Sequence, residues 1–218
     1  MKTLLTAALA GAGSLLLAGT ATAAPVSGGI TAVEVTIDLE GAGITPGLIG
    51  DAALAEGDGL TVLFPITGGD LEVDPLSGTI EHEGSGLTLS AGGATVELTD
   101  FIVNATTGFL SGNVAVVGGD SLGRVDIFSL SNVGDLTLEQ ITDTESPAIS
   151  LLVTAGAAQA LEGAFGLVGL ADLLTGAEFG LAATAPFFGE PDVVPLPAAA
   201  LFFATGAGLF AARRRAKA

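Results

Sequence analysis

The sequence predicts a mainly β protein: a single antiparallel β-sandwich or barrel-like domain with one short helix, plus an N-terminal signal helix and a C-terminal hydrophobic helix. Three observations carry that expectation. Short runs of Val, Ile, Leu and Thr alternate with polar residues at period two. Glycine-rich breaks, drawn from 33 glycines in 218 residues, separate several of the runs. One Ala-rich segment leaves this pattern and takes helical spacing.

Residues 30–41 set the strand pattern, with Val33, Val35, Ile37 and Leu39 alternating with Glu34, Thr36, Asp38 and Glu40. One face is apolar and the other acidic, as in a half-buried strand. Similar runs follow at Leu60–Thr67, Leu87–Ser90, Thr95–Val103, Asn113–Val117, Val125–Leu130, Leu136–Ile141 and Ile149–Val153. The breaks are Gly68-Gly69, Gly84-Ser85-Gly86, Gly92-Gly93 and Gly118-Gly119-Asp120. The helix is expected at about 155–168, where Ala157, Leu161 and Phe165 stand at i, i+4 and i+8, packed across an open end or edge of the sheet. Residues 176–185 return as a last strand, and 186–193 read as a linker. One acidic domain over 24–185 is the economical division.

Charge narrows the classes of function. All 24 acidic residues lie between Glu34 and Asp192, and Arg124 is the only cation between them, so this body carries a net −23. Such a body repels phosphate backbones, which excludes nucleic acid as a natural partner, while divalent cations and cationic polymers are attracted. The absence of cysteine excludes disulfides, thiolate catalysis and Cys-ligated metals. The absence of Tyr and Trp removes most stacking platforms for sugars and bases.

The remaining cations mark the two ends. Lys2, an apolar run from Leu4 to Ala18 and the Ala21-Thr22-Ala23 site form a signal peptide over 1–23, handled by translocon and signal peptidase. Cleavage after Ala23 keeps Pro25 off the scissile bond. At the other end, Val194-Pro195-Leu196-Pro197-Ala198 precedes an apolar stretch from Ala199 to Ala212, closed by Arg213-Arg214-Arg215 and Lys217. The 20 uncharged residues from Val193 to Ala212 are near the minimum for a bilayer span. Their Arg cluster stays cytoplasmic by the positive-inside bias, leaving the acidic body outside. The two ends agree on topology.

This tail, residues 194–218, resembles the VPLPA-CTERM sorting signal, a variant of the PEP-CTERM class. The resemblance implies recognition and processing by an exosortase, an integral-membrane cysteine protease, and a link to exopolysaccharide and the extracellular matrix. It implies export across the inner membrane, a transient membrane anchor, then a cell-surface or extracellular location.

Inside the body, His82 is the sole histidine and the one candidate ligand residue; alternation places it with Ile80 and opposite Glu81 and Glu83. No G-x-S-x-G motif accompanies it. Asp70-Leu71-Glu72-Val73-Asp74 looks like the start of a calcium loop, but Pro75 stands where an EF-hand needs glycine, and a strand with an acidic outer face accounts for it. Asn104-Ala105-Thr106 is a formal glycosylation sequon. Arg124 is expected to pair with a carboxylate, with Asp126 on its own strand face. The stretch Phe64–Phe101 is similar in texture to secreted β-rich modules such as the HtaA haem-uptake domain, where a histidine precedes a Gly-Leu run, as His82 precedes Gly86-Leu87 here. That family is expected to turn tyrosine toward haem, and this chain has none.

The sequence therefore predicts a non-enzymatic, exported envelope or matrix protein without catalytic, metal or cofactor residues, with exopolysaccharide or calcium as candidate partners. The alternative is an exported binding module for a divalent cation, a haem-like ligand or a polysaccharide.

Overall fold

The structure, a computed structural model, describes residues 23–56 and 59–189. The strands are β1 (Ala24–Val35), β2 (Thr45–Gly50), β3 (Ala53–Leu54), β4 (Leu60–Pro65), β5 (Gly68–Val73), β6 (Leu76–Ala91), β7 (Ala94–Asn104), β8 (Phe109–Val116), β9 (Ser121–Ser131), β10 (Ile149–Val153) and β11 (Glu178–Phe188). Three helices join them: α1 (Leu138–Thr142), α2 (Ala155–Phe165) and α3 (Leu170–Leu174). All eleven strands belong to one antiparallel sheet.

The sheet closes on itself. Pairing runs from β5 through β6, β7, β8, β9, β10 and β11 to β1, and the start of β1 returns to β5 through Ala24↔Leu71 and Pro25↔Asp70. Farther along, β1 pairs with β4 over Ile30–Val35, while β2 pairs with β6 over Thr45–Gly50 and β3 pairs with β4. Closure into a barrel leaves few unpaired backbone edges, and alternate side chains then point into a common interior. Leu71, Ile80, Val96, Val62 and Leu151 fill that interior, each nearly sealed from solvent.

Strand directions sort the connections between the two ends. The β5–β6 and β7–β8 turns, α1 and both chain ends lie at one end, hereafter the terminal end; α2 and α3 lie at the other. Helix α2 begins where the Thr154 hydroxyl accepts the Ala157 N–H and ends at Gly166 in the left-handed region. Its inward residues are Ala157 and Phe165, with Leu161 packed beside them. Glu162 then fixes α3, its carboxylate accepting the N–H groups of Gly169 and Ala171 at 2.9 Å each. That geometry satisfies donors a helix start otherwise leaves unpaired.

The mainly β architecture agrees with the sequence, and several boundaries differ for identifiable reasons. The helix expected over 155–168 stops at Phe165, because Gly166 turns the chain left-handed and α3 starts a new axis. Leu136–Ile141, expected as a strand, contains α1 instead. Thr137 and Gln140 form a reciprocal capping box there, and Ile141 is turned into the core. The strand read over 30–41 starts earlier, at Ala24, and ends at Val35; Ile37 and Leu39 face inward from a turn closed by Asp38, which accepts the Gly41 N–H. The last strand continues to Phe188, three residues into the stretch read as a linker. Gly84-Ser85-Gly86 is no strand break but a bulge inside β6, with register shifting between His82 and Gly86. Strands β2 and β3 carry no clear alternation and escaped the sequence reading. The signal segment over 1–22, including Ala21, and the tail with Val194–Ala198 and Arg213–Arg215 lie outside the described residues; Ala23 is described and exposed. Among the described residues no helix is long and apolar enough to cross a membrane.

Gly50, at φ 61°, ends β2 against the bulge of β6, and a Cβ there would overlap the Gly84 carbonyl oxygen. Gly50→Ala is therefore expected to lose about 1–3 kcal/mol of stability through left-handed strain and backbone overlap, read as a lowered urea midpoint. Gly118→Ala, also left-handed but with open space around the added methyl, should lose less in the same assay.

Candidate functional site

Two polar clusters break the apolar and acidic regularity of the barrel, one inside and one on its wall. The interior cluster centres on His82. Ile80 and His82 point inward on β6 while Glu83 is exposed, as alternation requires. His82 is only 2% exposed. Its Nε2 lies 2.8 Å from the Thr31 hydroxyl on β1, which lies 2.9 Å from the Thr184 hydroxyl on β11. Ser85, also buried, donates to the His82 carbonyl at 3.3 Å. Phe64 meets the imidazole edge-on with centroids 6.4 Å apart, and Phe101 meets Phe64 likewise at 5.3 Å.

Burial pushes the His82 imidazole down to about 4, so it is neutral at pH 7. The backbone of Phe101, opposite in the ladder, opposes this weakly, yet Nδ1 has no hydrogen-bond partner. An orphaned polar atom at this depth costs free energy that the Thr31–Thr184 pair on the other nitrogen only partly offsets.

Beside His82 lies a cavity of about 30 Å³, walled by Thr31, Phe64, Phe101, Leu110 and Leu151 among others. A second, also about 30 Å³, lies toward α2 against Leu161 and Leu174. Phe128 and Phe179, with ring centroids 4.9 Å apart, border both. Each void has room on the scale of one or two water molecules. A porphyrin does not fit, and the imidazole has no open approach, so this arrangement does not suit His82 for holding haem.

The outer cluster is built where bulges in β6 and β7 meet. Asp100 takes a left-handed conformation, φ 52°, which aspartate tolerates better than most residues. Its carboxylate accepts from the Gly84 N–H at 3.0 Å, the Asn113 amide at 3.0 Å and the Thr99 hydroxyl at 3.1 Å. The Gly84 N–H does most to hold this carboxyl below its usual range; burial opposes it, and Asn113, Thr99 and nearby Arg124 add to the lowering. Arg124 donates through Nη1 to the Asp100 carbonyl at 2.9 Å and to Ser111 at 3.5 Å. Arg124 is expected to pair with a carboxylate, and the hydrogen bonds it makes go instead to a backbone carbonyl and a hydroxyl. The guanidinium braces the Asp100 bulge through a backbone oxygen, from a regular part of the β8–β9 ladder in which Arg124 stands opposite Asn113 and Asp126 opposite Ser111.

The other sequence candidates have structural roles. Asp70 and Glu72 sit on β5 beside buried Leu71, and Asp74 follows in the turn. Among the described residues no group of three or more His, Asp or Glu side chains is arranged to hold a metal ion. Asn104 accepts the Thr107 N–H at 2.9 Å and Thr106 accepts the Gly78 N–H at 2.8 Å, which shapes the β7–β8 turn. Thr31 and Thr184 were not recognisable from sequence, since His82 is 51 residues from Thr31 and the two threonines are 153 apart.

Stability should depend on His82 below neutrality. The unfolded imidazole takes up its proton near 6.5, while the folded one waits until about 4. The folded state is thus unaffected by this group above about pH 7, weakens as pH falls from 6.5 to 4, and levels off below; the full loss is on the order of 3 kcal/mol. Urea midpoints at pH 7 and 4.5 should differ in the native chain and differ less in His82→Leu. Asp100, held low, adds a loss only at more acidic pH. Removing the brace with Arg124→Ala should cost under about 1.5 kcal/mol, and Asp100→Ala more, since it frees three donors in a left-handed position.

No family model matches the chain, and no curated protein matches its sequence. Among solved structures, the chain is similar to the C-terminal domain of HtaA from Corynebacterium glutamicum, with a TM-score of 0.52 and 13% identity. The match covers 76% of this chain and 99% of that one. At this identity the likeness is one of fold: a β-rich domain of the same architecture.

Proposed function

We propose that this protein is an exported cell-envelope or extracellular-matrix module, non-catalytic, sorted by its C-terminal tail through an exosortase-like protease. The observation that carries the reading is the order of Val194–Ala198, an apolar stretch and Arg213–Arg215 directly after the barrel. The barrel supports it in two ways. Its interior is packed rather than hollow, which suits a structural element. Its only histidine is neutral at pH 7 and sealed from solvent, a poor position for acid–base work on an external substrate. The net −23 of the body keeps it dispersed outside the cell and favours cationic or calcium-bridged matrix polymers over anionic ones.

A ligand-binding role is the second reading, favoured by the unpartnered Nδ1 of His82 beside a cavity. It requires Phe128 and Phe179 to move apart, joining the two voids into a pocket.

Mass spectrometry of the exported protein tests the first reading. The expected mature chain begins at Ala24 and lacks Arg213–Ala218; an exported chain still carrying those residues counts against processing. Thermal shift with calcium, haem and neutral or acidic polysaccharides tests the second. A rise in Tm with one of them, abolished by His82→Leu, is the outcome that would move the interior from structural to ligand-binding.

A further inference from the structure

The terminal end of the barrel carries an apolar groove with no partner among the described residues. It is lined by Ala24, Leu71, Val73, Leu138 and Phe188, encloses about 360 Å³, and bears Glu72 and Asp74 on its rim. Leu71 forms a buried floor, while Val73 and Phe188 stand 41% and 38% exposed at the sides. Asp70 on β5 and Glu139 on α1 add further negative charge nearby. An occupant suited to this surface is apolar and carries positive charge.

The chain supplies one at short range. β11 ends in the groove wall at Phe188, and the Gly189 N–H is bonded to the Pro25 carbonyl at 2.9 Å, so the chain leaves the barrel beside the groove. The apolar stretch starts at Ala199, ten residues past Gly189, a tether of up to about 33 Å when extended, enough to turn back. Leu201, Phe202, Phe203, Leu209 and Phe210 offer apolar side chains, and Arg213–Arg215 with Lys217 bring four of the protein's six basic residues. Linkage this short raises the local concentration of the segment to the millimolar range, so weak contacts suffice.

We propose that, away from a membrane, the C-terminal segment 199–217 docks in this groove, with apolar side chains against Val73, Leu138 and Phe188 and its Arg cluster over Glu72 and Asp74. The same apolar face is then hidden in water and released into a bilayer when one is present, so docking and membrane insertion exclude each other. The inference rests on the tail reading above but not on processing, and its test needs no sorting protease.

In the chain from Ala24 onward, trypsin can cut only at Arg124, within a paired strand, and in the 213–217 cluster. Trimming of that cluster by trypsin, followed by mass spectrometry on the monomeric Ala24–Ala218 chain without lipid, reads docking directly. Native chain should be trimmed on the order of tenfold more slowly than Val73→Asp or the Glu72→Gln/Asp74→Asn pair, with high salt speeding native trimming. Val73 and the two carboxylates are at the surface, so an unchanged Tm shows that the variants fold. Equal trimming rates in native and variant chains overturn the proposal. So does protection that disappears on dilution, which assigns the groove to a second copy, or protection that needs added phosphatidylcholine vesicles, which assigns it to lipid. A tail retained in exported protein would sink the sorting reading while leaving this trimming result untouched.

Discussion

The pairing of the first strand with the last governs the rest of the molecule. β1 and β11 pair from Val26↔Phe188 to Val35↔Gly180, and without that ladder the sheet has two open edges and its interior faces solvent. The His82–Thr31–Thr184 chain crosses the same seam, linking β6 through β1 to β11. Buried hydroxyls and an imidazole are a costly way to fill a core, and their benefit is directional: only one register satisfies them. Apolar packing closes the barrel, and this polar chain fixes how the seam aligns. Closure also joins residues far apart in sequence, so the folding nucleus must pay loop entropy before the seam rewards it, as in other barrels dominated by nonlocal pairing.

Legibility in the sequence followed the range of the interaction. Alternation marks strands wherever one face is buried, and so β7, β8, β10 and the inward placement of His82 were readable from neighbours alone. The α2 spacing was equally local. Leu136 and Leu138 alternate as a strand does, while the Thr137-x-x-Gln140 capping pattern and the shared helical face of Leu138 and Ile141 are equally local and mark the helix that forms. Thr45–Gly50 could not be recognised, since its strand character comes from pairing with β6 rather than from its own composition. The candidate site divided in the same way. Its histidine was visible, while its threonine partners and the orphaned nitrogen exist only after closure. Asp100 gave no signal either, because its role depends on a bulge created by pairing across three strands.

Electrostatics takes an unusual form in this fold. The described residues hold one cation, and it is used to brace a backbone bulge rather than to neutralise a carboxylate. Surface ion pairs thus contribute nothing appreciable here; repulsion among carboxylates is the dominant surface term, and dissolved salt relieves it. The barrel tolerates this because its stability comes from buried apolar area and from a backbone ladder with no open circuit. A strongly anionic exterior also opposes the close approach of one barrel wall to another.

The position of the two ends has one more chemical consequence. No lysine lies between residues 3 and 216, so a chain cut after Ala23 and trimmed of its tail would own a single primary amine, the new α-amino group of Ala24. Ala24 is aligned with Leu71 and its neighbour Pro25 with Asp70, so that ammonium would emerge among carboxylates at the barrel seam. A maturation cut would thereby place one reactive, positively charged handle on an otherwise anionic surface, within a few residues of the chain's other exit. Any amine-directed attachment, natural or synthetic, would then be regiospecific without further selection.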